Sequence, residues 1–276
     1  MRFGLGDMGF APDTLERFHQ LIHRPHGILL VTGPTGSGKT TTLYAALAEL
    51  DAASQKIITV EDPVEYQMAG INQIQVHTQI NLTFANALRS ILRQDPDIIM
   101  IGEMRDGETA QIAVQSSLTG HLVLSTLHTN TAASAVIRME DMGVERYLIT
   151  STLNGVLAQR LVRRLCAHCR TPLQPTPELL KSSGLGDFLP VGQPIYEAPG
   201  CAHCNGTGYQ GRVGIHELLV MNEAMRSAIL QGADANALQD LAARDGMYTL
   251  YQDGLRKVAA GLTSLDEVLR VTQDQA

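Results

Sequence analysis

Tryptophan is absent from this sequence, and phenylalanine and tyrosine bring the aromatic share to only 4% of 276 residues. Since 44% of the chain is hydrophobic, its core must be built mainly from aliphatic side chains. A basic excess is also missing: 21 Lys and Arg face 28 Asp and Glu, for a net charge of −7. Nucleic-acid backbones reward basic surfaces, and the sequence has no basic or aromatic track, so nucleic acid is not the expected ligand. No stretch approaches the roughly 18 uninterrupted apolar residues of a membrane span. The opening MRFGLGDMGF carries no apolar signal-peptide segment. The expected compartment is the cytoplasm. Cysteines are few, 4 in two close pairs, and in that compartment such pairs suit a metal better than disulfides. The sequence contains no internal repeat.

What is present is organised around Gly33-Pro34-Thr35-Gly36-Ser37-Gly38-Lys39-Thr40. This fits G-x-x-x-x-G-K-[ST], the P-loop pattern. An apolar run, Ile28 to Val31, precedes it as a buried strand, and Thr41 to Leu50 follows as a helix. Glycines at 33, 36 and 38 allow backbone angles that turn successive N–H groups inward at a phosphate. The helix N-terminus adds partial positive charge there. Residues 33–40 and Thr41 are the expected nucleotide contacts. Lys39 is expected to reach the β- and γ-phosphates of ATP, and the Thr40 hydroxyl to ligate Mg²⁺.

Further on, strands are expected at Lys56–Val60, Asp97–Ile101 and His121–Ser125, with a short exposed strand over Ile71–His77. Helices are expected from Pro12 to about His23 and over Phe84–Leu92, Thr109–Leu118 and Ala132–Met142. The alternation predicts an α/β fold with a largely parallel central sheet. Residues 1–10 read as loop, Leu148–Leu165 as helix, Gly211–Met221 as strand, and 223–231, 235–243, 247–260 and 264–271 as short helices. Three units follow: a core over 1–160, a cysteine-bearing lobe over 161–212, and a C-terminal strand and helical subdomain over 213–276.

Ligands of an open parallel sheet sit beyond the carboxyl ends of its strands. Three predicted strands besides the P-loop strand end in Glu61-Asp62, Glu103 and His128. Parallel strands would bring all of these to one edge. Glu103 is placed to orient and deprotonate a water aimed at the γ-phosphorus. Gly102 stands where a Mg²⁺-binding Asp would be expected, which leaves the metal to Thr40, the phosphates and water-mediated contacts. Of Glu61, Asp62 and Glu65, one is expected to face the metal or the water; Glu61 lies closest to the strand end, and Pro63 halts the strand. His128 is expected to sense the γ-phosphate. His121, some 20 Å back along the same strand at roughly 3.3 Å per residue, reads as structural. Arg89 and Arg93 share a helix face, and Arg105 lies nearby. Each is either a surface ion-pair partner or an arginine offered to a neighbouring subunit's phosphates.

Cys166-x-x-Cys169 and Cys201-x-x-Cys204 form the ligand set of a tetrahedral structural Zn²⁺ site. Such a site would tie down a Pro- and Gly-rich lobe too poor in core to fold alone. His168 and His203 are substitute ligands. Arg163, Arg164, Arg170 and Arg212 are expected to stabilise the thiolates.

These motifs, GPTGSGKT (33–40), ITVEDPVEY (58–66), LRSILRQDPDIIMIGEMRD (88–106), TGHLVLSTLHTN (119–130) and the paired knuckles, resemble those of the secretion and type IV pilus traffic ATPases. The knuckles point to the assembly motors rather than the retraction motors. GRVGIHELL (211–219) and SLDEVLRVT (264–272) are similar to the type II secretion branch, with pilus assembly its neighbour. The resemblance implies a RecA-like core, ATP hydrolysis with Mg²⁺, and a hexameric ring. It implies docking on an inner-membrane secretion platform through partner proteins, and arginines acting across subunit borders, which Arg89, Arg93, Arg105 and Arg212 match. Members carry domains ahead of the ATPase core. The chain is therefore expected to be a C-terminal portion, weak in hydrolysis alone.

Overall fold

Every residue of the strand before the glycine-rich loop, β1 (Gly27–Thr32), is buried. The same holds for β2 (Ile57–Glu61), β4 (Ile98–Ile101) and β5 (Leu122–Leu127), while the short β3 (Asn72–Gln75) is half-buried or exposed. With β6 (Leu153–Leu165) and β9 (Tyr209–Val220) they make a seven-stranded sheet of order β3-β2-β4-β5-β1-β6-β9. All neighbours are parallel except β6 and β9. The computed structural model describes residues 4–273. The expected α/β fold with a largely parallel sheet is the one found. Leu5–Met8 forms a 3-10 turn inside the expected N-terminal loop, of which residues 1–3 lie outside the described residues.

Alternation along the strands divides the core into two layers. Leu29, Val31, Leu122 and Leu124 pack under α1 (Pro12–Ile22) and α2 (Lys39–Glu49). Ile28, Leu30, Ile99, Ile101 and Val123 face the opposite layer. That layer holds α3 (Phe84–Ile91), α4 (Gly107–Leu118), α5 (Ala132–Asp141), α6 (Arg146–Thr152), α8 (Glu223–Leu230) and α9 (Ala235–Arg244). The largest fully buried side chains are Tyr44 and Phe18, so the core is aliphatic around two rings.

One expected element changes type. Helix is found only to Thr152, and Leu153–Leu165 is a thirteen-residue strand. It is flanked by β1 and β9 and buried along most of its length, so its apolar residues run together without a two-residue alternation. A Cβ on Gly155 would lie 2.9 Å from the Leu219 carbonyl, so glycine lets β6 approach β9 there.

Between β6 and β9 lie β7 (Thr171–Leu173), α7 (Pro177–Ser183) and β8 (Ile195–Glu197), with β7 and β8 paired antiparallel. This segment is not without a core. Leu185, Leu189 and Ile195 pack on Leu255 and Val258 of α10 (Leu250–Ala259) and on Leu265 and Val268 of α11 (Leu265–Thr272). Among the described residues no helix is long and apolar enough to cross a membrane.

Candidate active site

Gly36 (φ 80°) and Gly38 (φ 89°) adopt the left-handed conformation that curls residues 33–38 around the N-terminus of α2. The Lys39 Nζ folds back over this loop, donating to the Gly33 carbonyl at 2.8 Å and the Pro34 carbonyl at 3.0 Å. Burial pulls the Lys39 ammonium below its usual pKa, and the charge of Glu103 opposes this.

Because β1, β2, β4 and β5 are parallel, their carboxyl ends share one rim, as the spacing predicted. Glu103, two residues beyond β4, accepts from His128 Nε2 at 2.7 Å and from Arg105 Nε at 2.5 Å. His128 Nδ1 lies 3.5 Å from Lys39 Nζ. Lys39, His128, Glu103 and Arg105 thus form one line across the rim. Thr126 Oγ1 donates to the Gly102 carbonyl at 2.6 Å, and Met104 N to the Thr126 carbonyl at 3.1 Å, which fixes the backbone on both sides of Glu103. Asp106 then caps α4 by accepting from Thr109 N. Thr32, the last residue before the P-loop, contacts Thr129: Thr129 N donates to Thr32 Oγ1 at 2.9 Å, and the two hydroxyls are 2.6 Å apart. This ties the His128 segment to the loop. Lys39, Thr40, Thr41, Glu61, Glu103 and His128 all line a cleft of about 370 Å³.

Glycine at 102 lies close against β2. A Cβ there would lie 3.3 Å from both Glu61 Cα and the Val60 carbonyl, so a side chain at 102 would need β2 to give by a few tenths of an ångström.

Among the three neighbouring acids, Glu61 is 2% exposed, whereas Asp62 and Glu65 are exposed; all three line the cleft. The Glu61 carboxylate accepts from the Tyr44 hydroxyl, from Thr59 Oγ1 at 2.6 Å and from Gln73 Nε2 at 3.2 Å. Tyr44 OH also accepts from Glu65 N at 3.1 Å. Burial, with the Glu61 contact, raises the Tyr44 pKa. Tyr44, Thr59 and Gln73 organise this wall, and none of them stood out in the sequence. The available signal was weak: a tyrosine in the P-loop helix and a threonine two residues before Glu61, on the same strand face.

Arg89 pairs with Glu108 and Asn86, and Arg105 with Glu103; Arg93 and Arg212 are exposed. Arg212 lines a second cleft on the other flank of Pro34–Ser37. His121 Nδ1 meets the Ser116 carbonyl at 2.8 Å, at the far end of β5 from His128.

The four cysteine sulfurs lie within 4.8 Å of one another. Cys166–Cys201 and Cys169–Cys204 are separated by 3.9 Å, and Cys201–Cys204 by 3.8 Å. A tetrahedron with Zn–S bonds near 2.3 Å has edges of about 3.8 Å, so the donor set fits zinc. His168 and His203 stack on each other at 4.1 Å and stand outside this set. The expected arginine support is not found at three of the four positions. Arg163 binds Glu267 at 2.8 Å, Arg170 binds the Gly261 carbonyl at 2.7 Å, and Arg212 lies by the P-loop. Instead, Cys201 N and Gly208 N each donate to the Cys204 sulfur at 3.1 Å. Burial raises that thiol, while these two N–H groups together with the neighbouring Cys201 and Cys169 thiols lower it, for a net fall to about 6.

Residues 1–270 match the model of a family described as type II/IV secretion system protein. The chain is 57% identical over 273 residues to the type II secretion system protein HxcR of Pseudomonas aeruginosa, covering 99% of this chain and 54% of that protein. It is 53% identical to the type IV pilus assembly ATPase PilB of Thermus thermophilus, covering 96% of this chain and 30% of that protein. Among solved structures it resembles the pilus retraction motor PilT with bound ADP. There the identity is 31% and the TM-score 0.72, covering 98% of this chain and 67% of the other. The chain spans about half the length of HxcR.

Proposed function

The chain belongs to the type II/IV secretion system protein family, and on that premise we propose that it is the ATP-hydrolysing portion of a motor. The motor would drive pseudopilus assembly and protein export in type II secretion. The observation that carries this reading is the Lys39–His128–Glu103 line on the P-loop rim. Main-chain amides of residues 33–38 and the start of α2 would hold the phosphates of ATP. Lys39, now on two loop carbonyls, would turn to the β- and γ-oxygens. Glu103 would take a proton from the attacking water while the bond from the γ-phosphorus to the β-phosphate oxygen breaks. His128 and Arg105 hold the Glu103 carboxylate in place, and His128 links it to the γ-phosphate end of the cleft.

Mg²⁺, when bound, offsets phosphate charge; Thr40 would ligate it, with Glu61, Asp62 or Glu65 reaching its waters. The four cysteines would hold a structural Zn²⁺ in a lobe between the nucleotide core and the C-terminal helices. Arg89, Arg93 and Arg212 remain arginines for a neighbouring copy in a hexamer. Cytoplasmic action at an inner-membrane platform, through partner proteins, completes the proposal. A pilus-assembly role is the second reading, favoured by the 53% identity to PilB.

Equilibrium binding of a fluorescent ATP analogue with Mg²⁺ tests the nucleotide site. The chain should bind, and Lys39→Ala should weaken binding at least tenfold. Equal binding by both chains would refute the site.

A further inference from the structure

The P-loop has a second face, turned away from the catalytic rim, and β6 hydrogen-bonds to it through the Gln159 side chain. Gln159 is 2% exposed. Its strand neighbours Leu157 and Ala158 pair with Val31 and Thr32, so Gln159 stands level with the start of the loop. Its Oε1 accepts from Thr42 Oγ1 at 2.6 Å, and its Nε2 donates to the Ser37 carbonyl at 2.8 Å. The loop is shaped around this residue. A Cβ on Gly33 would lie 2.5 Å from the main-chain carbonyl oxygen of Gln159, and one on Gly38 would lie 2.7 Å from its side-chain Nε2.

We infer that Gln159 is the positioning residue that sets the phosphate-binding shape of the P-loop. The physical argument is the planarity of one peptide unit. In a trans peptide, C=O and N–H point in opposite directions. Drawing the Ser37 carbonyl toward β6 therefore aims the Gly38 N–H the other way, into the concave side of the loop that Lys39 spans. The Ser37 carbonyl can only accept, which turns Nε2 rather than Oε1 toward it, and the Thr42 hydroxyl, one turn into α2, then donates to Oε1 and holds the amide in place. Among protein side chains, a primary amide held this way both accepts from Thr42 and donates to Ser37. Without the donor, the buried Ser37 carbonyl loses its partner, and the 37–38 peptide is free to rotate away from its phosphate-binding orientation.

This inference rests on the nucleotide reading, and its test separates the two. Binding of a Mg²⁺–ATP analogue is measured for the chain as it is, for Gln159→Met and for Gln159→Glu, each checked for a single thermal transition. The unaltered chain is expected to bind and Gln159→Met to lose about tenfold or more in affinity. In Gln159→Glu the carboxylate can accept from Thr42 but cannot donate to Ser37; once protonated it can do both. Its affinity relative to the unaltered chain should therefore recover as pH falls from 8 to 6, a readout that a purely structural role would not move. Failure of the unaltered chain to bind overturns the nucleotide reading and this inference with it. Binding by the unaltered chain together with an unchanged affinity in Gln159→Met overturns this inference alone. Should Gln159→Met not fold, the pH ratio of Gln159→Glu decides, and a flat ratio overturns the inference.

Discussion

His128 Nε2 lies 2.7 Å from Glu103 Oε1, across the gap between the ends of β5 and β4. The imidazole therefore braces the carboxylate proposed as the base, while its other nitrogen faces Lys39 at 3.5 Å. Removing it leaves Glu103 paired, among the described residues, with Arg105, whose side chain is 59% exposed. His128→Ala is expected to lower turnover about ten- to a hundredfold, as for a misplaced reacting group. Nucleotide affinity should change less than threefold. Parallel turnover and binding measurements check this, and an equal loss in both would assign His128 to binding instead.

The cysteine cluster predicts about one zinc per chain by elemental analysis of purified protein. Cys166→Ser should lose the metal and open residues 166–208 to protease. The sheet should survive, because β6 is held by β1 and β9 along its length. Leu185, Leu189 and Ile195 still pack on α10 and α11, so the lobe should loosen rather than detach. Nucleotide affinity should stay within about threefold. Protein with well under one zinc per chain would contradict the site.

His216 sets a pH dependence. His216 is 1% exposed, its ring stacks on Phe10 at 3.8 Å, and neither ring nitrogen has a hydrogen-bond partner among the described residues. Burial, reinforced by Lys257, pushes its pKa well below the usual 6.5. The unfolded chain therefore binds a proton below pH 6.5 that the folded chain refuses. Stability should fall as pH drops from about 6.5 toward the folded pKa, by up to about 1.4 kcal/mol per pH unit from this group. Asp253, which accepts from His216 N at 2.8 Å, has its carboxyl raised by burial against the pull of Lys257, and so works in the opposite sense at lower pH. Urea unfolding of the chain and of His216→Phe between pH 5 and 7 isolates the histidine. The difference between the two should steepen toward pH 5, and parallel curves would refute the assignment.

The placing of the candidate site residues on one rim was largely legible because they sit at strand ends, where local sequence carries the signal. A P-loop glycine, an acid after IIMI and a histidine after LVLSTL each follow a buried run. β6 was not legible for the reason that makes it central: covered on both sides, its apolar run has the length and composition of a helix. The partners of Glu61 come from three separate segments, and only the fold brings Tyr44, Thr59 and Gln73 together. The arginines beside the cysteines misled because nearness in sequence says little about direction. Arg163 leaves the strand toward Glu267, 104 residues away.

The central claim is that Glu103 activates water at a nucleotide held by the opposite loop. Single-turnover phosphate release and analogue binding, measured side by side for the chain and for Glu103→Gln, test it most directly. The account predicts binding within about threefold and phosphate release lower by two orders of magnitude or more. Unchanged phosphate release in Glu103→Gln would contradict it.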